Sequence, residues 1–186
     1  MIRKGRLEVI AGAMFSLKTT TLILKLEKEI RRGKKVQIFT KDGRHTKSSL
    51  VTHSGLDKLK AIYIKDVNDI KIKDDTDIIG LDEIQFIGKT SDELRLFCRK
   101  YLLKGKDFIA AGLIQDFQGN PFCNTLALLT EADEFNLLTS VCKCGNDAIR
   151  NHRKVSSKEL ILEGADEYEP LCTLCFEQAL KNEQQE

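Results

Sequence analysis

Apolar and polar positions alternate in two rhythms along the first two-thirds of the chain, and the changes of rhythm predict its elements. Arg6 to Ile10 is short and β-branched towards its end and predicts a strand, followed by a small-residue turn at Ala11-Gly12-Ala13. From Thr19 to Arg32 the apolar residues Leu22, Ile23, Leu26 and Ile30 fall at helical spacing, and Gly33 stands where a helix closes in a left-handed residue. Val36 to Thr40 predicts a second strand, and residues 41–58, largely polar with Gly, Ser, Thr and Asp spread through them, a long loop. Ala61 to Ile64 and Asp77 to Leu81 predict strands, the latter ending in Asp82-Glu83. Asp92 to Leu103 predicts a helix with Leu94, Phe97, Tyr101 and Leu102 as its apolar surface. Asp107 to Ala111 predicts a buried strand, with a loop from Gly112 to Pro121. Strand alternating with helix over about 115 residues predicts an α/β fold, a parallel sheet flanked by helices. From Val141 the alternation stops and short polar segments carry paired cysteines, which divides the chain into residues 1–140 and a small metal-stapled subdomain at 141–186.

Composition narrows the classes. A chain of 186 residues suits one domain with a small appendage, long enough to bury about 70% of its unfolded surface. Lys plus Arg is 30 and Asp plus Glu is 28, a net charge of +2, which excludes a basic nucleic-acid arm or an acidic tail as the main feature. No apolar run is long enough to span a membrane, and no apolar segment of signal-peptide length follows Met1. The expectation is a cytoplasmic protein with neither a membrane nor a nucleic acid as partner. In a reducing compartment, the pairs Cys142/Cys144 and Cys172/Cys175 point to a metal rather than to disulfides.

The octet Gly12-Ala13-Met14-Phe15-Ser16-Leu17-Lys18-Thr19, between a strand and a helix, stands in the context of a phosphate-binding loop. Backbone N–H groups in such a loop wrap phosphates, and the helix N-terminus adds its dipole. Lys18 would meet the β- and γ-phosphates of ATP, and Thr19 would place a hydroxyl on Mg²⁺. Leu17 occupies the position of the second glycine, where a side chain at positive φ costs on the order of 1–3 kcal/mol. The alternative is a strand–turn–helix with a chance Lys-Thr. The strand ending in Asp82-Glu83 offers a metal-holding carboxylate beside the phosphate-loop strand, with Glu83 able to act on a substrate hydroxyl. Alone, such a pair is also compatible with a solvated turn.

With these motifs in place the chain resembles the thymidine kinase family of the P-loop, zinc-containing type, found in vertebrate cytosol, many bacteria and large DNA viruses. The resemblance is carried by Met14-Phe15-Ser16 with Lys18-Thr19, by Asp42-Gly43-Arg44 and Thr52-His53, and by Asp82-Glu83-Ile84-Gln85-Phe86. It continues through Gly112 to Phe117 with Pro121-Phe122, Gly164-Ala165-Asp166-Glu167-Tyr168, and Cys172-Thr173-Leu174-Cys175, in the family's order. It implies a P-loop NTPase-like sheet with a C-terminal zinc-binding subdomain and a lasso loop, and ATP-dependent phosphorylation of thymidine to its monophosphate. Glu83 resembles the base that takes the 5′-hydroxyl proton, and Arg44 the arginine that steadies the transferring phosphoryl. Residues 12–19 and Asp82 would hold Mg²⁺-ATP. Gln85, Phe86, Leu113, Phe117, Phe122, Asn151 and Tyr168 would surround the nucleoside, although the apolar ones among them suit plain core packing as well. Cys142, Cys144, Cys172 and Cys175 would hold a structural Zn²⁺, and a homotetramer is implied.

Several positions depart from the family's pattern: Leu17, Ile114 in place of an acid, Asn151 where a threonine is common, Glu163 in place of a glycine, Thr173 in place of an arginine, and the short pair Cys142-Lys143-Cys144. Read as an extended segment, Cys-x-Cys leaves no turn N–H groups for its sulfurs and chelates less well than Cys-x-x-Cys. Leu17, Ile114 and Glu163 keep a second reading open: a catalytically impaired paralogue that retains the fold and binds nucleoside or a protein partner.

Overall fold

A computed structural model of the protein describes residues 4–41, 50–51, 58–155 and 165–183. In chain order the elements are β1 (Leu7–Gly12), α1 (Lys18–Arg31), β2 (Val36–Thr40), β3 (Leu50–Val51), β4 (Lys58–Leu59), β5 (Ile62–Tyr63) and β6 (Ile78–Asp82). There follow α2 (Ser91–Leu102), β7 (Asp107–Leu113), α3 (Cys123–Leu129), β8 (Glu134–Leu138), β9 (Ser140–Val141), β10 (Asp147–Ala148), β11 (Arg150–Arg153), β12 (Tyr168–Leu171) and α4 (Thr173–Glu183). Six strands form one sheet in the order β5-β2-β6-β7-β1-β8, and every neighbouring pair is parallel.

Strand alternation divides the core into two layers. Leu7, Val9 and Ala11 of β1, Ile79 and Leu81 of β6, and Phe108 and Ala110 of β7 face Leu94, Cys98 and Leu102 of α2 and Leu128 of α3. Ile10, Ile38, Ile78, Ile109 and Ala111 face the other way, onto Leu22, Ile23 and Leu26 of α1. Successive strand residues point to opposite faces, so strands buried on both faces must be apolar nearly throughout, as β1, β6 and β7 are. Ile30, expected on the buried stripe of α1, is instead 44% exposed in the helix's last turn. Gly33 closes α1 as its position promised. At φ 82° it donates its N–H to the Ile30 carbonyl while Lys34 donates to Glu29, the paired bonds of a Schellman cap.

The structure corrects several boundaries. β1 continues through Ala11 and Gly12, placed in a turn by the sequence, because both pair in register with Gly112 and Leu113 of β7. The strand expected over Ala61 to Ile64 is only Ile62–Tyr63, with Ala61 and Ile64 buried on either side of it. Unforeseen are α3, β8, α4, which occupies what read as short polar segments, and the short strands β3, β4, β9, β10, β11 and β12, with β3 and the start of β4 lying in what read as one long loop. α3 is two turns long, too short for periodicity to mark. β8 is an edge strand whose Phe135 and Leu137 stay exposed, so burial offered no signal.

Beyond β8 the chain builds a small cluster of its own from Cys142, Ala148, Leu171, Cys172 and Phe176. The antiparallel pairs β9–β10 and β11–β12 and helix α4 frame it. Among the described residues no helix is long and apolar enough to cross a membrane.

Candidate active site and cysteine cluster

The C-terminal ends of β1, β6 and β7 deliver the predicted residues to one edge of the sheet. β1 ends at Gly12, where a Cβ would meet the Leu138 carbonyl oxygen at 2.1 Å and Ser16 Oγ at 2.8 Å, so no larger residue fits. The turn 13–17 leads directly into α1. Within it Ser16 Oγ donates to the Ala13 carbonyl at 2.8 Å, and Lys18 Nζ donates to the same oxygen at 2.6 Å. Phe15 and Leu17 both lie at φ 61°. Leu17 adopts the left-handed conformation that the missing glycine would take freely, and it keeps its side chain 66% exposed as the N-cap of α1. The chain carries the strain of a non-glycine residue at positive φ there.

Asp82 does not lie beside the phosphate-loop strand as expected, because β7 stands between β1 and β6. The two motifs still meet, because α1 packs across β7 and β6 and brings its first turn over Asp82. Thr19 Oγ1 donates to Asp82 Oδ2 at 3.1 Å. Burial, then the neighbouring Glu83 carboxylate, pushes the Asp82 carboxyl up to about 8, while burial holds the Lys18 ammonium below its ordinary range. Glu83 itself sits at φ 56°, in the left-handed region, where the chain turns out of β6. This backbone is strained for a non-glycine residue and turns the chain sharply where Glu83 leaves the strand. Gln85 is 5% exposed and spends both ends of its carboxamide inside the protein. Nε2 donates to Glu83 Oε2 at 2.5 Å, and Oε1 accepts the Leu113 N–H at 2.9 Å.

Of the residues expected around a nucleoside, Phe86 and Phe122 meet edge-on with ring centroids 5.7 Å apart. Leu113 closes β7, its carbonyl accepting from Thr125 Oγ1 at 2.8 Å. Phe117 lies in the loop after β7, with the Arg153 guanidinium 3.4 Å from its ring centroid, a cation–π contact that the sequence did not announce. Tyr168 opens β12 and pairs in register with Arg153. Asn151 is 2% exposed on β11; its Oδ1 accepts the Met14 N–H at 2.6 Å and its Nδ2 donates to the Gln115 carbonyl at 2.8 Å. Arg150 Nη1 bonds Gln115 Oε1, a second contact with no forewarning beyond the basic character of Arg150-Asn151-His152-Arg153. Ile114, in the place of an acid, packs against the core on the α2 face. Arg44, Asp42, Thr52, His53 and Glu163 lie outside the described residues.

The four expected cysteines converge. The sulfurs of Cys142, Cys144, Cys172 and Cys175 all lie within 4.8 Å of one another. Cys144 and Cys172 are 3.7 Å apart, and a tetrahedron of thiolates about 2.3 Å from zinc has an edge of about 3.8 Å. Cys142-Lys143-Cys144 is not extended, as the sequence reading had it. Gly145, at φ 85°, donates its N–H to the Cys142 carbonyl at 2.8 Å, so the short pair is a turn. Burial pushes the Cys142 thiol up, but the backbone N–H groups of Cys144 and Cys172 and the thiols of Cys144 and Cys175 reverse this and bring it down to about 6. The Cys144 thiol, followed by those of Cys142 and Cys172, pushes Cys175 up to about 12. Cys172 leads into α4 and Cys175 lies in its first turn, where the helix dipole favours thiolates. The donor set, its spacing and its turn N–H groups fit zinc. Nothing in the structure explains Thr173.

Comparison with known proteins bears on the whole chain. A family model described as Thymidine kinase matches residues 5–176. A thymidine kinase of Bacteroides thetaiotaomicron is 35% identical over 178 residues, covering 94% of this chain and 88% of that one. A thymidine kinase of Choristoneura fumiferana entomopoxvirus is 36% identical over 179 residues, covering 91% and 95%. Among solved structures, the flagellar accessory protein FlaH from Methanocaldococcus jannaschii superposes with a TM-score of 0.50 over 85% of this chain and 76% of that one, at 14% identity, a likeness of fold.

Proposed function

The chain belongs to the thymidine kinase family, and from that premise we propose that it transfers the γ-phosphoryl group of ATP to the 5′-hydroxyl of thymidine. The observation that carries this reading is the meeting of Thr19 and Asp82 at 3.1 Å, with Lys18 and Glu83 as their chain neighbours. Four residues from two motifs 63 positions apart thus share one edge of the sheet.

The backbone N–H groups of residues 12–19 and the N-terminus of α1 bind the polyphosphate, and Lys18 exchanges the Ala13 carbonyl for the β- and γ-phosphates. Thr19 and Asp82 would hold Mg²⁺, which when bound neutralises charge on the phosphate oxygens. Glu83 accepts the 5′-hydroxyl proton, aimed by Gln85. Arg44 steadies the charge that spreads over the phosphoryl oxygens. Phe86, Phe117, Phe122 and Leu113 enclose the pyrimidine, and Tyr168 and the lasso close over it. Cys142, Cys144, Cys172 and Cys175 hold a structural zinc that fixes β11 and β12 beside the site. A cytoplasmic homotetramer serving nucleoside salvage completes the proposal.

The test is a coupled assay with ATP, Mg²⁺ and thymidine. Turnover of roughly 1–100 per second is expected of a working kinase. Glu83→Gln should lower it by about 10²–10⁴-fold without unfolding the protein. The left-handed Leu17 favours one second reading, an impaired paralogue in which a strained, leucine-bearing loop binds ATP poorly. That reading requires slow wild-type turnover restored by Leu17→Gly.

A further inference from the structure

Met14 belongs to the phosphate loop after β1, and Gln115 to the loop after β7 that carries Phe117 and Phe122. The two loops leave different strands, and Asn151, from a third, joins them. Its Oδ1 accepts the Met14 N–H at 2.6 Å and its Nδ2 donates to the Gln115 carbonyl at 2.8 Å. The side chain is buried and both ends of the carboxamide are used, so its orientation is set: only the oxygen can face an N–H, and only the nitrogen a carbonyl. Gln115 is held further by Arg150 and by a bridge to Pro121 across its own loop. A threonine, with one hydroxyl on a shorter side chain, cannot span both partners.

We propose that Asn151 is a positioning residue that couples the two substrate sites, so that ordering of the phosphate loop by ATP tightens the loop that walls the nucleoside, and the reverse. The inference rests on the thymidine kinase reading given above. It predicts reciprocal affinities: Mg²⁺ with a non-hydrolysable ATP analogue should raise thymidine affinity in the wild type by about fivefold or more.

The experiment measures thymidine binding by calorimetry with and without that analogue, alongside steady-state KM for both substrates. Asn151→Ala removes both bonds and should bring the coupling to within about twofold of none. Asn151→Asp keeps an oxygen for the Met14 N–H but sets a carboxylate against the Gln115 carbonyl. It should abolish the coupling, so that the KM for thymidine and the KM for ATP, each measured with the other substrate saturating, rise together by about the coupling factor, while the affinity for the ATP analogue alone stays within about threefold of wild type, a pattern that general destabilisation would not produce. Circular dichroism checks folding, and if Asn151→Ala does not fold, Asn151→Asp decides. Wild-type coupling retained in Asn151→Asp, or two substrates that bind the wild type independently, overturns the proposal. A wild type that binds neither substrate overturns it too, but does so through the functional reading, and the two failures are told apart because this one appears before any substitution.

Discussion

Gln85 donates to the Glu83 carboxylate at 2.5 Å, and the Leu113 N–H, 2.9 Å from Gln85 Oε1, prevents the carboxamide from turning the other way. The end of β7 thereby aims a side chain at the end of β6. Gln85→Glu keeps an acceptor for Leu113 but presses a second carboxylate against Glu83, and two carboxylates in contact resist joint ionisation. At neutral pH kcat should fall by about tenfold or more, with the KM for ATP little changed. An unchanged kcat would show that Gln85 does not aim the Glu83 carboxylate.

Leu17 offers a test of backbone strain separate from catalysis. It sits at φ 61° with its side chain largely in water, so little burial is lost on shortening it. Leu17→Gly should raise stability by about 1 kcal/mol, or about 2–4 °C in Tm for a chain of this size. Leu17→Ala retains a Cβ at positive φ and should not. Equal gains from both variants would place the strain elsewhere.

Without divalent cations, the contribution of Asp82 to stability should fall as pH rises. Folding lifts Asp82 from its ordinary 3.8 to about 8, through burial first and the Glu83 charge second. Between those values the folded chain keeps a proton that the unfolded chain has lost. The Asp82 contribution is therefore complete below about pH 4 and drains away as pH rises towards 8. Asp82→Asn removes this loss, so its advantage in urea melts should be larger at pH 9 than at pH 5, by on the order of 4 kcal/mol. Parallel stability curves for variant and wild type would refute the assignment.

The cysteine cluster predicts one zinc per chain by elemental analysis. Chelation, or Cys172→Ser, frees β12 immediately after Leu171 and with it the hold on β11. Tm should drop by about 5 °C or more, and the KM for thymidine should rise. A metal-free protein with unchanged Tm would reduce the cluster to a thiol-lined core.

Much of this was legible in residue order. Local rules placed β1, α1, β2, β6, α2 and β7, because strands buried on both faces and helices with one buried stripe leave periodic signatures. The motifs named Lys18, Thr19, Asp82, Glu83 and the four cysteines, since phosphate loops and thiolate sites need specific residue types at short spacing. Sequence could not say that β7 inserts between β1 and β6, that Cys142-Lys143-Cys144 bends into a turn, or that Asn151 reaches both Met14 and Gln115. Strand order and contacts between residues more than 30 positions apart are selected by how whole faces pack, and that free energy is spread over many residues rather than written in any short segment. The chemistry of each group was set along the chain, while the partners that tune it were chosen by the fold.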